Sequence, residues 1–371
     1  MCELYSRDEF VLLNIDMRFP ADNPRSICIL RLSAIGDVCH AVAAVQSIQR
    51  RWPSATITWV IGKTEAGLIA DLAKVRLIVF DKNAGLRSYW KLRKQLKEHK
   101  FDVLLHMQRS FRASTVSLCI RARFRVGFDK KRAEECQWLF TNYRIKPQHQ
   151  PHVLDGFMAF AKAIGVEQTE PQWQMPLSEQ NRNWAKEQLT SLKRHLLIAP
   201  AASNSERNWL PQRYAAVANY ASERGWVILL CGADTPIEQD LARAISNHSQ
   251  HPPINLVGKT SLKQLLALIE RVDLVLSPDT GAAHMAVTVN TPVIGLYAHS
   301  NPGRTGPYLF LDYVVDVYHQ QLQQQYGKSS DLLPWGKRLK GHHLMSLIET
   351  QSVIAKFNQL VKNNLIDNAD Q

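Results

Sequence analysis

The sequence predicts an α/β protein made of two Rossmann-like domains that face each other across a cleft, and three observations predict it. The first is residues 273–297, DLVLSPDTGAAHMAVTVNTPVIGLY, where Pro278 breaks a short apolar run and a helix opens at Asp279, Thr280 and Gly281. The second is residues 27–53, ICILRLSAIGDVCHAVAAVQSIQRRWP, built the same way: a strand, a turn at 33–36, and a helix with Asp37 at its start. The third is the alternation of strand-like and helix-like runs along the chain, which selects mainly parallel sheets.

In order, the first half offers strands at 27–32, 56–61, 77–80, 103–106 and 125–127, with helices between them. Residues 152–164, HVLDGFMAFAKAI, have helical spacing and end at Gly165, and the polar stretch 167–183 reads as the connection between domains. A second series of strands follows at 196–199, 226–231, 255–257, 274–277 and 293–297. A Gln-rich stretch at 320–328 reads as a loop, and 344–360 as a closing helix. The expected organisation is an N-terminal extension at 1–25, a first domain at 26–175, a second at 190–315 and a C-terminal helical segment at 340–371.

A chain of 371 residues is long enough for two domains with full cores. No window approaches ~18 uninterrupted apolar residues, so no membrane-spanning helix is expected. The N-terminus carries acids early and lacks a basic start before an apolar run, unlike a signal peptide. Six cysteines without CxxC or zinc spacing read as reduced thiols, which points to the cytoplasm. The formal net charge of +12 needs a partner. Basic residues crowd 87–100, where with Trp90, Leu92 and Leu96 between them much of the set reads as the solvated face of an amphipathic helix, and again 109–132. Without a zinc finger, an RNP-type aromatic pattern or a helix-turn-helix, nucleic acid is not expected. An anionic membrane surface or a phosphorylated acceptor explains the charge.

The helix start at Thr280, Gly281 and Ala282 has the chemistry of a diphosphate site: free N–H groups, the positive dipole end, and a glycine with no Cβ to hold the phosphate away. His284 lies in the first turn of that helix. A capped helix with a satisfied imidazole would use the same residues, and the paired motif at Asp37 is what favours the anion site. After the 196–199 strand comes PAASNSERNWLPQRY, where Arg207 supplies a guanidinium able to fork onto phosphate oxygens, with Ser203 beside it. After 226–231 comes GADTPIEQD, where Asp234 or Glu238 is placed for ribose hydroxyls or simply caps a helix.

SAIGD with His40, the loop reaching Arg207 and Trp209, and SPDTGAAHMAVTVNTPVIGLY resemble the ADP-heptose:lipopolysaccharide heptosyltransferases, glycosyltransferase family 9, over residues 27–307. The resemblance is greatest to the heptosyltransferase I type, which adds the first heptose to Kdo-lipid A. It implies a GT-B fold, the acceptor on the first domain, ADP-heptose on the second, and inversion at the anomeric carbon. Asp37 would be the general base on the acceptor hydroxyl, with Gly36 beside it. Gln108, Arg109 and Arg112, in HMQRSFRAS with Ser110, would meet the Kdo carboxylate or phosphate. Ser203, Arg207, Thr280, Gly281, Ala282 and His284 would hold the diphosphate, and Asp279 the heptose hydroxyls. The chain carries Arg207 where members often carry Lys, and Ala202 where they carry Thr. No metal is implied, since no DxD pair flanked by strands is present, and no cofactor beyond the sugar nucleotide. The expected location is the inner face of the cytoplasmic membrane, in peripheral contact.

Three alternatives use the same residues differently. Heptosyltransferases II and III act on a heptose of the core. A nicotinamide-dependent oxidoreductase would need the GxGxxG spacing that SAIGD lacks. A non-enzymatic lipid- or RNA-binding protein explains the charge but not two facing anion sites.

Overall fold

The computed structural model describes residues 23–167, 170–190, 192–328 and 332–363. Most of the expected N-terminal extension, and the end of the C-terminal segment, lie outside the described residues. Among the described residues two six-stranded sheets form, their paired strands parallel.

The first sheet contains β1 (Ser26–Leu30), β2 (Thr56–Gly62), β3 (Val75–Phe80), β4 (Phe101–His106), β5 (Ala122–Gly127) and β6 (Tyr143–Arg144), in the order β3-β2-β1-β4-β5-β6. Its helices are α1 (Ile35–Arg51), α2 (Lys63–Ile69), α3 (Leu86–Gln95), α4 (Phe111–Ser117) and α5 (Val153–Ala163). A connecting helix, α6 (Glu179–Glu187), leads to the second sheet.

That sheet contains β7 (His195–Ile198), β8 (Val227–Leu230), β9 (Ile254–Asn255), β10 (Leu274–Pro278), β11 (Val293–Tyr297) and β12 (Val314–Asp316), in the order β12-β11-β10-β7-β8-β9. With it come α7 (Pro211–Ser222), α8 (Pro236–His248), α9 (Leu262–Arg271), α10 (Gly281–Thr288), α11 (Pro302–Thr305), α12 (Tyr318–Tyr326) and α13 (Thr350–Lys362). The central strands read as apolar runs because helices cover both faces: β1, β4, β7, β10 and β11 are buried almost throughout.

Both sheets reverse their strand order at one place, between β1 and β4 in the first and between β7 and β10 in the second. At such a switch point adjacent loops diverge and leave a crevice. The motif loops after β1 and β10 therefore open there by topology alone.

The two halves meet at α1 and α10. A Cβ added at Gly36 would overlap the His284 ring, and one at Gly281 would lie 3.0 Å from Ile35 Cγ2. Three further bonds clasp α5 to the second half: His152 Nε2 to the Gly306 carbonyl (2.9 Å), Tyr308 Oη to Asp155 (3.1 Å) and Trp335 Nε1 to the Pro151 carbonyl (2.9 Å). The connection is stapled onto α1, where Trp173 Nε1 donates to Cys39 O at 2.8 Å and the Gln46 amide bonds the Gln174 backbone in both directions.

Two expectations are corrected. The stretch 320–328 is not a loop: α12 covers most of it, because Tyr318 and Leu322 pack inward and glutamine is a good helix former. The closing helix is interrupted: a 3₁₀ turn at Leu344–Leu347 precedes α13. The Ile348 carbonyl between them accepts from Trp209 Nε1 and Arg213, so it is lost to a helical ladder. The connection at 167–183 carries structure of its own. Its end begins α6, whose Arg182 holds Glu270 of α9 through Nε (2.8 Å) and Nη2 (3.0 Å).

Two histidines of this framework are held neutral. Burial, with the Arg125 charge nearby, pushes His106 down to about 3. Burial pushes His152 down to about 4, against the opposing pull of its bond to Gly306. Unfolded imidazoles titrate near ~6.5. Between those values the unfolded chain takes up protons that the folded chain refuses, so stability is fully present above pH ~6.5 and falls as pH drops. Each histidine should remove about 2 kcal/mol between pH ~7 and ~5. Urea midpoints at the two pH values measure this, and His152→Gln should flatten the slope. Equal stability of the unmodified protein at both would refute the assignment.

Candidate active site

Both helix starts that the sequence singles out lack a side-chain cap. In α1 the N-cap is Ala34, and Asp37 stands three residues inside rather than at the cap; its carboxylate reaches back to the Ala34 amide at 3.4 Å. In α10 the N-cap is Thr280, whose hydroxyl turns to Ser277 Oγ (2.7 Å) instead of to the first-turn amides. Uncapped N–H groups at the positive end of a helix suit an anion, and here two such ends abut.

Asp37 is part-exposed and ion-pairs with Arg31 Nη2. By sequence Arg31 is only part of the first strand. It is buried, donates through Nη1 to the Met107 carbonyl at 2.7 Å, and lies 5.3 Å from the centroid of the Phe157 ring. Its Nε has no hydrogen-bond partner among the described residues. The sequence signal was a lone guanidinium ending an apolar strand, a group that must find a carboxylate or carbonyl nearby. Burial lowers the Arg31 pKa, and Asp37 opposes that shift.

On the second half, Arg207 bridges the loop after β7 to the start of α10. Its Nη1 donates to the Asp279 carbonyl (2.9 Å) and carboxylate (3.2 Å), and its Nη2 to Ser203 Oγ (2.8 Å). Its Nε is buried and has no hydrogen-bond partner among the described residues. Asp279 also accepts from Ser300 Oγ at 2.7 Å and faces His284 Nε2 at 3.7 Å. Burial works to raise the Asp279 carboxyl, but His284, Ser300 and Arg207 outweigh it and hold the acid below its usual range.

A row of imidazoles crosses from one half to the other. His284 Nδ1 is 3.1 Å from His40 Nε2, and the His40 and His152 ring centroids are 5.2 Å apart, edge to face. Asp279 favours the proton on His284 Nε2, which leaves Nδ1 to accept from His40. Burial, reinforced by His284, pushes the His40 pKa well down, and its Nδ1 has no hydrogen-bond partner among the described residues.

The remaining sequence candidates separate into two sets. Gln108 comes to the site: its Oε1 accepts the Leu32 amide (2.6 Å) and its Nε2 faces Ser33 Oγ (3.4 Å), tying the loops after β4 and β1 together. Arg109 pairs with Glu134 at 2.6 Å, and Arg112 is exposed on α4. Gly36 is packed under His284, and Ala282 is buried in the first turn of α10. Ser110 caps α4 through the Ala113 amide. Glu238 lies after β8, one strand away from the switch point. Its carboxylate accepts the Ala233 amide at 2.7 Å and so shapes its own loop. Arg304 of α11, absent from the sequence reading, joins the group: burial lowers its pKa first, then the charge of Arg109, while Asp37 raises it.

The description of glycosyltransferase family 9 (heptosyltransferase) matches residues 89–335. The chain is 48% identical to the lipopolysaccharide core heptosyltransferase OpsX of Haemophilus influenzae, over 91% of this chain and 97% of that one. Among solved structures, a glycosyltransferase family 9 protein from Veillonella parvula superposes with a TM-score of 0.76 at 20% identity, covering 92% of this chain and 98% of its own. The Escherichia coli heptosyltransferase WaaC with ADP superposes with a TM-score of 0.69 at 18% identity, covering 91% and 99%. At those identities the two structures establish the fold, two facing parallel sheets of GT-B type. A family match spanning both halves of the crevice, and a relative nearly half identical over almost its whole length, make this chain a glycosyltransferase that belongs to glycosyltransferase family 9.

Proposed function

We infer that the chain transfers L-glycero-D-manno-heptose from ADP-heptose to Kdo of the lipopolysaccharide inner core, with inversion, as heptosyltransferases of type I do. The observation that carries the donor half is the uncapped start of α10 beside Arg207, whose buried Nε lacks a partner among the described residues. Supporting it, the Haemophilus influenzae relative is a lipopolysaccharide core enzyme and the Escherichia coli structure is described with ADP.

Inversion requires the nucleophile and the leaving group on opposite faces of the sugar. The arrangement suits it, because Asp37 belongs to one half and the α10 start to the other, with Gly36 against His284 between them. In this mechanism Asp37 takes the proton from the acceptor hydroxyl as its oxygen attacks the anomeric carbon, and the bond to the β-phosphate oxygen breaks. Arg31 holds the Asp37 carboxylate in one orientation. Charge building on the departing diphosphate is met by the α10 amides and Arg207, so no divalent ion is required. Asp279, fixed by Arg207 and Ser300, meets heptose hydroxyls. Arg109 and Arg304 give an anionic acceptor its cations, and the neutral Gln108 amide stands beside them. The setting is the inner face of the cytoplasmic membrane, in peripheral contact; no helix of the described residues is long and apolar enough to cross it.

Mass spectrometry of truncated Kdo-lipid A after incubation with ADP-heptose tests the whole reading: a gain of one heptose is expected. Binding of ADP-heptose without transfer to Kdo would move the acceptor to a core heptose, and no binding would sink the proposal.

Asp37→Asn keeps the shape of the α1 start and should lower kcat by ~10²–10⁴ while leaving ADP-heptose affinity near that of the unmodified protein. An unchanged kcat removes Asp37 from the base role. Arg207→Ala should weaken ADP binding by about 1.5–3 kcal/mol, roughly ten- to a hundredfold, in calorimetry, with Arg207→Lys recovering part of it. A chelator should leave turnover unchanged; loss restored by added magnesium would overturn the metal-free mechanism.

A further inference from the structure

The helices α3 and α4 cover the same face of the first sheet, where Leu92, Leu96, Ala113, Val116 and Ile120 pack on Cys28, Leu30 and Leu104. They are tied together by Tyr89 Oη to Thr115 Oγ1 at 3.0 Å and by Cys119 Sγ to the Tyr89 carbonyl at 3.7 Å. A 3₁₀ turn at Gln137–Phe140 joins them: the Phe111 and Phe140 rings lie 6.3 Å apart, and Arg125 bonds both the Phe140 carbonyl (2.8 Å) and the Ser117 carbonyl (2.9 Å). The three pieces form one supported surface.

Its outside is both apolar and basic. Leu86 is 86% exposed, Trp90 67%, Phe111 56%, Leu118 66%, Trp138 52% and Leu139 61%. Scattered exposed apolar residues are ordinary, but these six all belong to α3, to α4 and its C-terminal end, and to the turn packed against them, and two are tryptophans. Around them stand Arg87, Lys91, Arg93, Lys94, Lys97, Arg112, Arg121 and Arg123, and neither α3 nor α4 contains an acid. The acids near its border are engaged: Glu98 lies 4.0 Å from Lys97, Glu134 pairs with Arg109, and Glu135 accepts the Phe111 amide.

We propose that this face docks on an anionic lipid bilayer, with the leucine and tryptophan tips entering the headgroup layer and the cations meeting lipid phosphates. Tryptophan favours that interface, and long basic side chains keep their charge in water while their stems lie on apolar surface. Leucines offer nothing to nucleic acid, whose bases stack on aromatic platforms, and that difference decides between the two anionic partners. The surface also leads to the site. Gln108, which ties the loops after β1 and β4, is followed within three residues by Phe111 at the start of α4. A lipid-anchored acceptor held in the bilayer would then enter the crevice beside Asp37. The docking face itself is independent of the acceptor chemistry, but this last step rests on the proposed function.

The test separates the two. Cosedimentation with phosphatidylethanolamine–phosphatidylglycerol vesicles containing no acceptor measures docking, and turnover on a deacylated, water-soluble Kdo acceptor measures catalysis. The protein should bind these vesicles and not phosphatidylcholine vesicles. The triple variant Leu86→Ser, Trp90→Ser, Leu118→Ser should bind about tenfold more weakly or worse. Lys91→Glu with Lys94→Glu should lose about fivefold for each cation and show a weaker dependence on salt. Both variants should turn over the soluble acceptor at the unmodified rate. Brominated lipids should quench tryptophan emission, and Trp90→Phe should reduce the quenching. Equal binding of variants and unmodified protein, no preference for anionic lipid, or vesicle binding displaced by RNA that itself depends on Leu86 and Leu118 would overturn the docking face. Failure of the unmodified protein on the soluble acceptor, with vesicle binding intact, would instead overturn the acceptor assignment.

Discussion

Two helix starts, α1 and α10, press against each other where glycine leaves no side chain, and the rest of the site depends on that contact. Gly36 lies under the His284 ring, and Gly281 lies against Ile35. A carbon added at Gly36 would force the His284 ring out of its place, and one at Gly281 would crowd Ile35. The contact also joins two positive helix ends that repel one another. An anion bound near them relieves that repulsion, so the same geometry that brings the halves together suits a diphosphate.

Around this contact the charged groups are arranged to hold position. Asp37 is fixed by Arg31, itself buried and bonded to the Met107 carbonyl. Such a pair is a weak source of net stability because both ions lose water. Its value is orientation: a carboxylate held in one rotamer loses little entropy on meeting a substrate proton. Asp279 is fixed more completely, by Arg207, Ser300 and His284. His284 connects it to His40, whose imidazole burial keeps neutral, so no extra positive charge is stored where the halves meet.

The surplus of positive charge divides by position. Arg31, Arg109 and Arg304 belong to the crevice, and Arg125 serves as a staple beneath α4. The cations of α3 stand outward with Leu86 and Trp90. One net charge in the composition thus covers substrate binding, internal support and surface attraction, which no count of lysines and arginines separates.

The sequence by itself determined the helix starts, the alternation of elements and most central strands, because those signals are local: a glycine, a proline or an acid beside an apolar run. It also singled out Asp37, Arg207, Asp279 and His284, each within a motif. The short edge strands β6 and β12 were not visible, since two or three residues carry no period. The break at Ile348 was hidden because its cause, the indole of Trp209, lies 139 positions away in the chain. For the same reason only the tertiary structure supplied Arg31 as the partner of Asp37, the bond from His40 to His284 and the row of exposed tips across α3, α4 and the turn after β5. Each depends on how two sheets and their covering helices approach one another, and that distance is set by packing between residues far apart in sequence, which no local pattern encodes.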